Sequence, residues 1–430
     1  MISTAVKQNK FLIAYYIILL GAFFFLMRPN AGIPMSIRIG MMALCFIPVF
    51  FRMEILPFVV LCFHTISSLS FTQVLPSTIS YFVLIVLVLY VFYRQKTRYV
   101  FNALLVLGYF LLMSLIHYDF RDFISWLFIV ILLSDMVKDE EDLQYLFYAF
   151  LVISAFLSLL FLVHRGEFMI QYGNHDSDLE RSSWINSNMF SAAIGAGAVL
   201  CVAYFTNCIN LFRTVFLNVA CTITLVLSFI VIILTASRGA FFAFVVPSAL
   251  MLFMSKSKLW IKLVIVAVLL FVVVLMIRNN TFELLLARMD ENTFETGGGR
   301  TEIWQNKLTL FFDKANPLRI LFGIGLSACN KLGGTISTHN DFVTVLIAYG
   351  LLGLILFGYF VYVYPIKMAS KKNKLNVIFL LLYVFIECCV LEPFFRGYIF
   401  VAMFYVFVLK YAQIMNQINN VPKNLPIEDQ

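Results

Sequence analysis

Apolar runs long enough to cross a bilayer follow one another along almost the whole chain of 430 residues. Hydrophobic residues make up 62% of the sequence and charged residues only 13%, and a soluble fold of this size cannot hide so much apolar surface. The chain is therefore expected to be an all-α polytopic membrane protein. Several runs are short, so we predict about 12–14 transmembrane helices. The candidate spans lie near 11–27, 38–51, 55–71, 76–93, 99–117, 122–136, 143–163, 188–207, 211–235, 239–254, 259–277, 341–365, 375–391 and 394–413.

One long polar stretch, residues 278–340, interrupts the apolar runs. It divides the chain into an N-terminal transmembrane bundle (1–277), a large loop (278–340) and C-terminal transmembrane helices with a short tail (341–430). The short connections on one side hold seventeen lysines and arginines, and those on the other side hold seven. Because cytoplasmic loops carry the excess of positive charge, both termini are predicted to be cytoplasmic and the large loop periplasmic.

The cations of the short outside connections are all arginine, whereas most of those inside are lysine. Arginine binds phosphate oxygens in pairs and is less strongly hydrated than lysine, so this bias favours an extracytoplasmic phosphate site. Anchoring of helix ends at the lipid headgroups accounts for part of the set. The seven are Arg28, Arg38, Arg121, Arg165, Arg181, Arg238 and Arg396. The net charge of +8 is scattered rather than gathered in a stripe, which favours membrane lipids over nucleic acid as a partner.

Arg300 follows three glycines and opens a segment that is predicted to be helical to about Phe312. The free N–H groups at a helix N-terminus, with an arginine beside them, favour an anion. Trp304, one turn later, is placed either to stack on a sugar or to anchor at the headgroups.

His339 precedes a span that begins near Asp341 and stands between Thr338 and Asn340. A histidine in this position can accept a proton from an attacking hydroxyl, although a polar interface residue is the alternative interpretation. Gly350 and Gly353 are expected to let this helix pack closely against the bundle.

Two further segments on the outside complete the candidate site. Ser237-Arg238-Gly239 places an arginine in a very short turn, and Asn186-Ser187-Asn188 lies at the start of an earlier span. An Asp176-x-Asp178 pair is expected to be solvated charge, so no metal site is predicted. No ATP-binding glycine-rich loop occurs in the sequence, and no cofactor is predicted.

Together these motifs resemble the O-antigen polymerase and ligase superfamily (Wzy/WaaL type), over roughly residues 180–365. The resemblance implies a GT-C-like, metal-independent membrane glycosyltransferase of the bacterial inner membrane, acting at its periplasmic face. Its donor would be a glycan on undecaprenyl diphosphate, and a chain-length regulator would be a further partner. By motif, Arg238 and Arg300 would bind the diphosphate and His339 would deprotonate the acceptor. The predicted substrate-binding residues are Trp304, Asn340, Asn186, Asn188 and Arg181.

Three functions remain open from the sequence. A polymerase (Wzy) that joins repeat units of O-antigen or a similar surface polysaccharide is favoured by the number of spans and by the Ser-Arg-Gly element. A ligase that transfers finished polymer to the lipid A core shares the His339-Asn340 motif. A flippase for lipid-linked oligosaccharides is the alternative of another class, but it would need related halves and a polar central cavity, and neither is apparent in the sequence.

Overall fold

The computed structural model describes residues 100–118, 139–163, 187–235, 237–279, 300–314, 316–334, 338–391 and 399–420, together with isolated positions elsewhere. Within these residues the chain is helical and contains no strand, which confirms the all-α prediction for this part. The helices are α1 (Val100–Ile116), α2 (Glu140–Val163), α3 (Ser187–Phe205), α4 (Val215–Leu234), α5 (Arg238–Met254), α6 (Leu259–Arg278), α7 (Arg300–Lys314), α8 (Pro317–Phe322), α9 (Leu326–Lys331), α10 (Asp341–Gly358), α11 (Tyr364–Met368), α12 (Lys374–Val390) and α13 (Ile399–Asn420).

Five helical segments of the described chain are long and apolar enough to cross a membrane. They are 140–163, 188–205, 215–234, 259–278 and 341–368, the last of which joins α10 and α11 through a π-helical turn at Tyr359–Val363. This supports a polytopic membrane protein. The predicted spans before residue 99 and the span near 122–136 lie outside the described residues, apart from isolated positions, so the total of 12–14, the three-part division and the GT-C likeness stay predictions.

α3 forms the centre of the described bundle and packs against α2, α4 and α5. Small residues make this possible: a Cβ added at Gly197 would lie 2.8 Å from the carbonyl oxygen of Phe150 on α2. The Ser154 hydroxyl donates to the carbonyl oxygen of Ala193 across the same contact, at 3.4 Å. α6, in contrast, leaves most of its apolar side chains exposed, as expected of a helix that faces lipid.

α10 is interrupted at Gly350, which has φ 69° and ψ −173°. The break frees backbone carbonyl groups, and the loop after α8 binds them: Ile324 N–H donates to Ile347 O at 3.0 Å, and Gly325 N–H to Ala348 O at 2.9 Å. A Cβ at Gly350 would lie 2.3 Å from the carbonyl oxygen of Leu321. The backbone at Gly350 therefore does approach another element closely, but that element is the C-terminal end of the short helix α8 and not a membrane span of the bundle.

The described part of the large loop is folded onto the bundle. α7 ends within two residues of its predicted boundary, and α8 and α9 lie against the broken helix α10. Lys307 of α7 is buried, and its ammonium group donates to the carbonyl oxygen of Cys329 in α9 at 2.9 Å. This contact fixes the position of the helix that begins with Arg300.

Candidate functional site

The N-termini of α3 and α5 meet through a direct side-chain hydrogen bond. Ser237, the N-cap residue of α5, donates its hydroxyl to the side-chain oxygen of Asn188 at 2.8 Å. A second bond, of 2.6 Å, joins the hydroxyls of Ser191 and Thr235 close by. The structure thus brings Asn188 beside the Ser-Arg-Gly element.

Arg238, the first residue of α5, lies close enough to Arg300, the first residue of α7, for their charges to interact. Burial lowers the pKa of Arg300, the charge of Arg238 lowers it further, and the carboxylate of Glu387 acts in the opposite direction. Arginine stays charged despite such a shift. Two cations held together in a partly buried site, each at the start of a helix, form a strong anion-binding arrangement.

Trp304 connects α7 to the segment that contains His339. Its indole N–H donates to the carbonyl oxygen of Thr338 at 2.5 Å. The Thr338 hydroxyl is also hydrogen-bonded to the hydroxyl of Thr344 in α10. Trp304 therefore has a structural contact that the sequence interpretation, which considered sugar stacking or headgroup anchoring, did not foresee.

Asn340 caps α10, because its side-chain oxygen accepts the N–H of Val343 at 3.1 Å. Its side-chain amide donates to the carbonyl oxygen of Cys389 on α12 at 3.3 Å. Both polar ends of Asn340 are thus used within the protein.

His339 has a φ of 50°, in the left-handed region that is uncommon for residues other than glycine, although histidine adopts it more often than most. Its neighbours hold it there, since Thr338 is bonded to α7 and α10 while Asn340 is bonded to α12. Such strain persists where the surroundings determine it, and it is concentrated at functional sites. His339 is half-buried at the meeting point of these elements.

The residue that the sequence interpretation did not place in the site is Glu387, in the last turn of α12. It is fully buried, neither of its carboxyl oxygens has a hydrogen-bond partner among the described residues, and Arg300 is close enough for its charge to act on the carboxyl group. Three residues further along α12, Val390 contacts Gly239: a Cβ there would lie 2.7 Å from the Val390 side chain. The signal in the sequence was an acidic residue within a predicted span, which is costly and usually functional.

The structure therefore gathers Asn188, Arg238, Arg300, Trp304, His339 and Asn340 at one end of the helices, around the end of α12. Two predicted substrate-binding residues, Arg181 and Asn186, lie outside the described residues. Among the residues that are described, no three histidine, cysteine or carboxylate side chains are grouped as metal ligands.

Residues 223–358 match a family model, Wzy_C, whose description is O-Antigen ligase. The match covers less than half of the chain, contains Arg238, Arg300, Trp304, His339 and Asn340, and ends before Glu387. It supports the resemblance to the O-antigen polymerase and ligase superfamily and an enzymatic role in surface polysaccharide assembly, and it does not separate polymerases from ligases. No curated protein matches the chain.

Proposed function

We propose that the protein is a glycosyltransferase of the bacterial inner membrane that polymerises repeat units carried on undecaprenyl diphosphate. The reaction would take place at the periplasmic face and would extend O-antigen or a similar surface polysaccharide. The observation that supports glycosyl transfer from a lipid diphosphate is the proximity of Arg238 and Arg300 at the starts of two helices, beside the segment that contains His339. Polymerisation is preferred to ligation because of the number of predicted spans and the Ser-Arg-Gly element. Two adjacent guanidinium groups suit a diphosphate, because each can form paired hydrogen bonds with phosphate oxygens.

The arginine pair would bind the diphosphate of the donor. When the bond between the anomeric carbon and the diphosphate oxygen breaks, the leaving diphosphate takes the electron pair and gains negative charge. Two arginines and two helix N-termini stabilise this charge more strongly in the transition state than in the bound donor, which is the condition for catalysis.

His339 would act as the general base. The acceptor hydroxyl oxygen attacks the anomeric carbon, its proton passes to the imidazole, and the lipid diphosphate leaves from the opposite face. A single displacement of this kind inverts the configuration at the anomeric carbon. The imidazole suits this role because its ordinary pKa lies near neutral pH.

The other residues would bind substrate or support those that do. Trp304 and Asn340 would position His339 through Thr338 and α12, and Asn188 would position Arg238 through Ser237. Arg181 and Asn186 are proposed to contact the lipid-linked glycan, because the sequence predicts both residues on the periplasmic side of the membrane.

A ligase is the second candidate, because the matching family is described by that activity. The two functions use the same donor and differ in the acceptor, which is a second lipid-linked unit for a polymerase and a lipid A core sugar for a ligase. Arg238, Arg300 and His339 serve both reactions equally.

A deletion strain distinguishes the two functions when its surface polysaccharide is separated on a gel. Loss of the length ladder, with one repeat unit still attached to its carrier, is the expected result for a polymerase. Loss of all attached glycan, with accumulation of lipid-linked polymer, would show a ligase instead. A normal ladder would contradict both proposals.

A further inference from the structure

Lys307 lies in the middle of α7, two turns after Arg300, and its side chain is only 2% exposed. Its side-chain nitrogen donates a hydrogen bond to the carbonyl oxygen of Cys329 in α9, at 2.9 Å. Removing an amino group from water is costly, and an apolar side chain of similar length would pack at this position without that cost. A buried lysine here therefore calls for an explanation other than packing.

One face of α7 carries the contacts that hold this helix. Four of its residues, spaced by four, three and four positions, lie along one side: Arg300, Trp304, Lys307 and Phe311. The indole N–H of Trp304 bonds to the carbonyl oxygen of Thr338. Lys307 bonds to α9, and Phe311 is buried. Because a helix of this length moves as a stiff rod, a rotation of α7 at these contacts displaces the guanidinium group of Arg300.

α9, which accepts the bond from Lys307, is itself fixed on the broken helix α10. The N–H group of Cys329 donates to the carbonyl oxygen of Gly325 at 2.9 Å. The N–H group of Gly325 donates in turn to the carbonyl oxygen of Ala348, in the part of α10 before the break, also at 2.9 Å. Lys307 therefore joins α7, through α9, to the part of α10 that begins next to His339.

α7 is thus held on α10 at two points, directly through Trp304 and indirectly through Lys307 and α9. With the contact of Trp304 alone, α7 could turn about that point, and the apolar packing of Phe311 would permit several such orientations. A hydrogen bond is directional, so the bond from Lys307 selects one of them. A role in stability alone would affect ligand binding no more than a loss of packing at Phe311 does.

We propose that Lys307 is a positioning residue for Arg300. The hydrogen bond from Lys307 to Cys329 sets the rotation of α7, and so places the guanidinium group of Arg300 where it contacts the diphosphate. Lys307 itself does not contact the ligand, since its side chain is buried against α9. The inference rests on the proposed function for the identity of the ligand and for the role of Arg300.

The test is the binding of geranylgeranyl diphosphate to the purified full-length protein in nanodiscs at fixed ionic strength. Lys307→Met removes the hydrogen-bond donor and keeps a side chain of similar length. We expect it to weaken binding of the probe about fivefold or more in the wild-type background, and again in the Arg238→Ala background. In the Arg300→Ala background it should change binding by less than about twofold, because no guanidinium group is left to position. A residue that only stabilises the fold would cost the same factor in all three backgrounds.

Phe311→Leu is the matched control, because it removes buried apolar contacts one turn further along the same face and leaves the hydrogen bond of Lys307 in place. It should lower the thermal midpoint and change binding of the probe by less than about twofold. Lys307→Gln replaces Lys307→Met if the latter does not fold, since its amide keeps an N–H donor on a shorter side chain. Its loss in binding should be smaller, and should again disappear in the Arg300→Ala background.

Three results would overturn the inference: an equal loss in the Arg300→Ala and wild-type backgrounds, wild-type affinity in a folded Lys307→Met variant, or a loss for Phe311→Leu as large as that for Lys307→Met. The arginine variants distinguish this failure from that of the proposed function. If Arg238→Ala and Arg300→Ala bind the probe as the wild type does, the diphosphate site itself is wrong.

Discussion

The indole N–H of Trp304 donates to the carbonyl oxygen of Thr338, with 2.5 Å between the two atoms. This bond joins the start of the second turn of the helix that begins with Arg300 to the residue that precedes His339. The bond thereby restricts the relative positions of Arg300, which is proposed to bind the leaving group, and His339, which is proposed to take the proton. Catalysis of this kind requires such fixed geometry, because small displacements cost large factors in rate.

Trp304→Phe removes the hydrogen-bond donor and keeps most of the ring. If the bond positions His339, kcat should fall about tenfold or more, while thermal stability changes by only about 1 kcal/mol, as for one lost hydrogen bond. Rates of glycan extension in vesicles and thermal unfolding of the purified variant measure the two effects. Unchanged extension would assign Trp304 to sugar or lipid contact alone. A matched control is Phe312→Leu, on an exposed position of the same helix.

Substitutions at His339 distinguish the effect of its backbone conformation on stability from the effect of its imidazole on transfer, because its backbone adopts a φ of 50°. His339→Ala, His339→Asn and His339→Gly should all abolish transfer, since none provides a base. Their stabilities should differ: glycine and asparagine tolerate the left-handed conformation, so His339→Gly should be about 1 kcal/mol more stable than His339→Ala. Equal unfolding midpoints for the alanine and glycine variants would contradict backbone strain at His339. Residual transfer by all three variants would contradict its role as general base.

Gly350→Ala should be strongly destabilising, because the added Cβ would lie 2.3 Å from the carbonyl oxygen of Leu321 at a φ of 69°. We expect a loss of about 3 kcal/mol or more and release of the loop that follows α8. Gly358→Ala is the control, since no atom lies within 4 Å of its Cβ position and its backbone is helical. Alanine should be neutral or stabilising there. Hydrogen exchange of the Ile324 and Gly325 amides measures the release, and protected amides in Gly350→Ala would contradict it.

Arg300→Lys should make transfer sensitive to alkaline pH. Burial and the charge of Arg238 lower the pKa of the cation at this position, and a lysine begins from a lower ordinary value than arginine. The charged form exists below the pKa, so the activity of the lysine variant should fall as pH rises toward alkaline values. Wild-type activity should show no such decline over the same range. Parallel pH profiles of transfer check this, and identical profiles for both proteins would contradict a buried cationic role.

The sequence predicted helix positions better than it predicted contacts. The start of α10 at Asp341 and the helix after Arg300 follow from local apolar patterns and from the glycines that precede Arg300, so they could be placed within a few residues. The break at Gly350 could not, because it depends on a loop some twenty-five residues earlier that supplies the N–H groups of Ile324 and Gly325. In the sequence alone, a glycine in an apolar run is as consistent with close packing of an unbroken helix as with a break in the helix.

The candidate site was likewise predicted in its parts but not in its connections. Arg238, Arg300 and His339 are predicted site residues on the basis of their motifs and of a predicted location on one side of the membrane. Glu387 was visible only as an acidic residue in a predicted span, because its partner Arg300 lies 87 positions away in sequence. Such pairing of distant charges follows from tertiary packing alone.

Arg238 and Arg300 are proposed to hold the leaving diphosphate together. The decisive measurement is the binding of geranylgeranyl diphosphate and geranylgeranyl monophosphate to the purified protein, with Arg238→Ala, Arg300→Ala and the double variant compared. We predict that the wild type prefers the diphosphate, that each single variant loses about tenfold or more in its affinity for the diphosphate, and that the double variant no longer distinguishes the two ligands. A preference for the diphosphate that survives in the double variant would contradict the account.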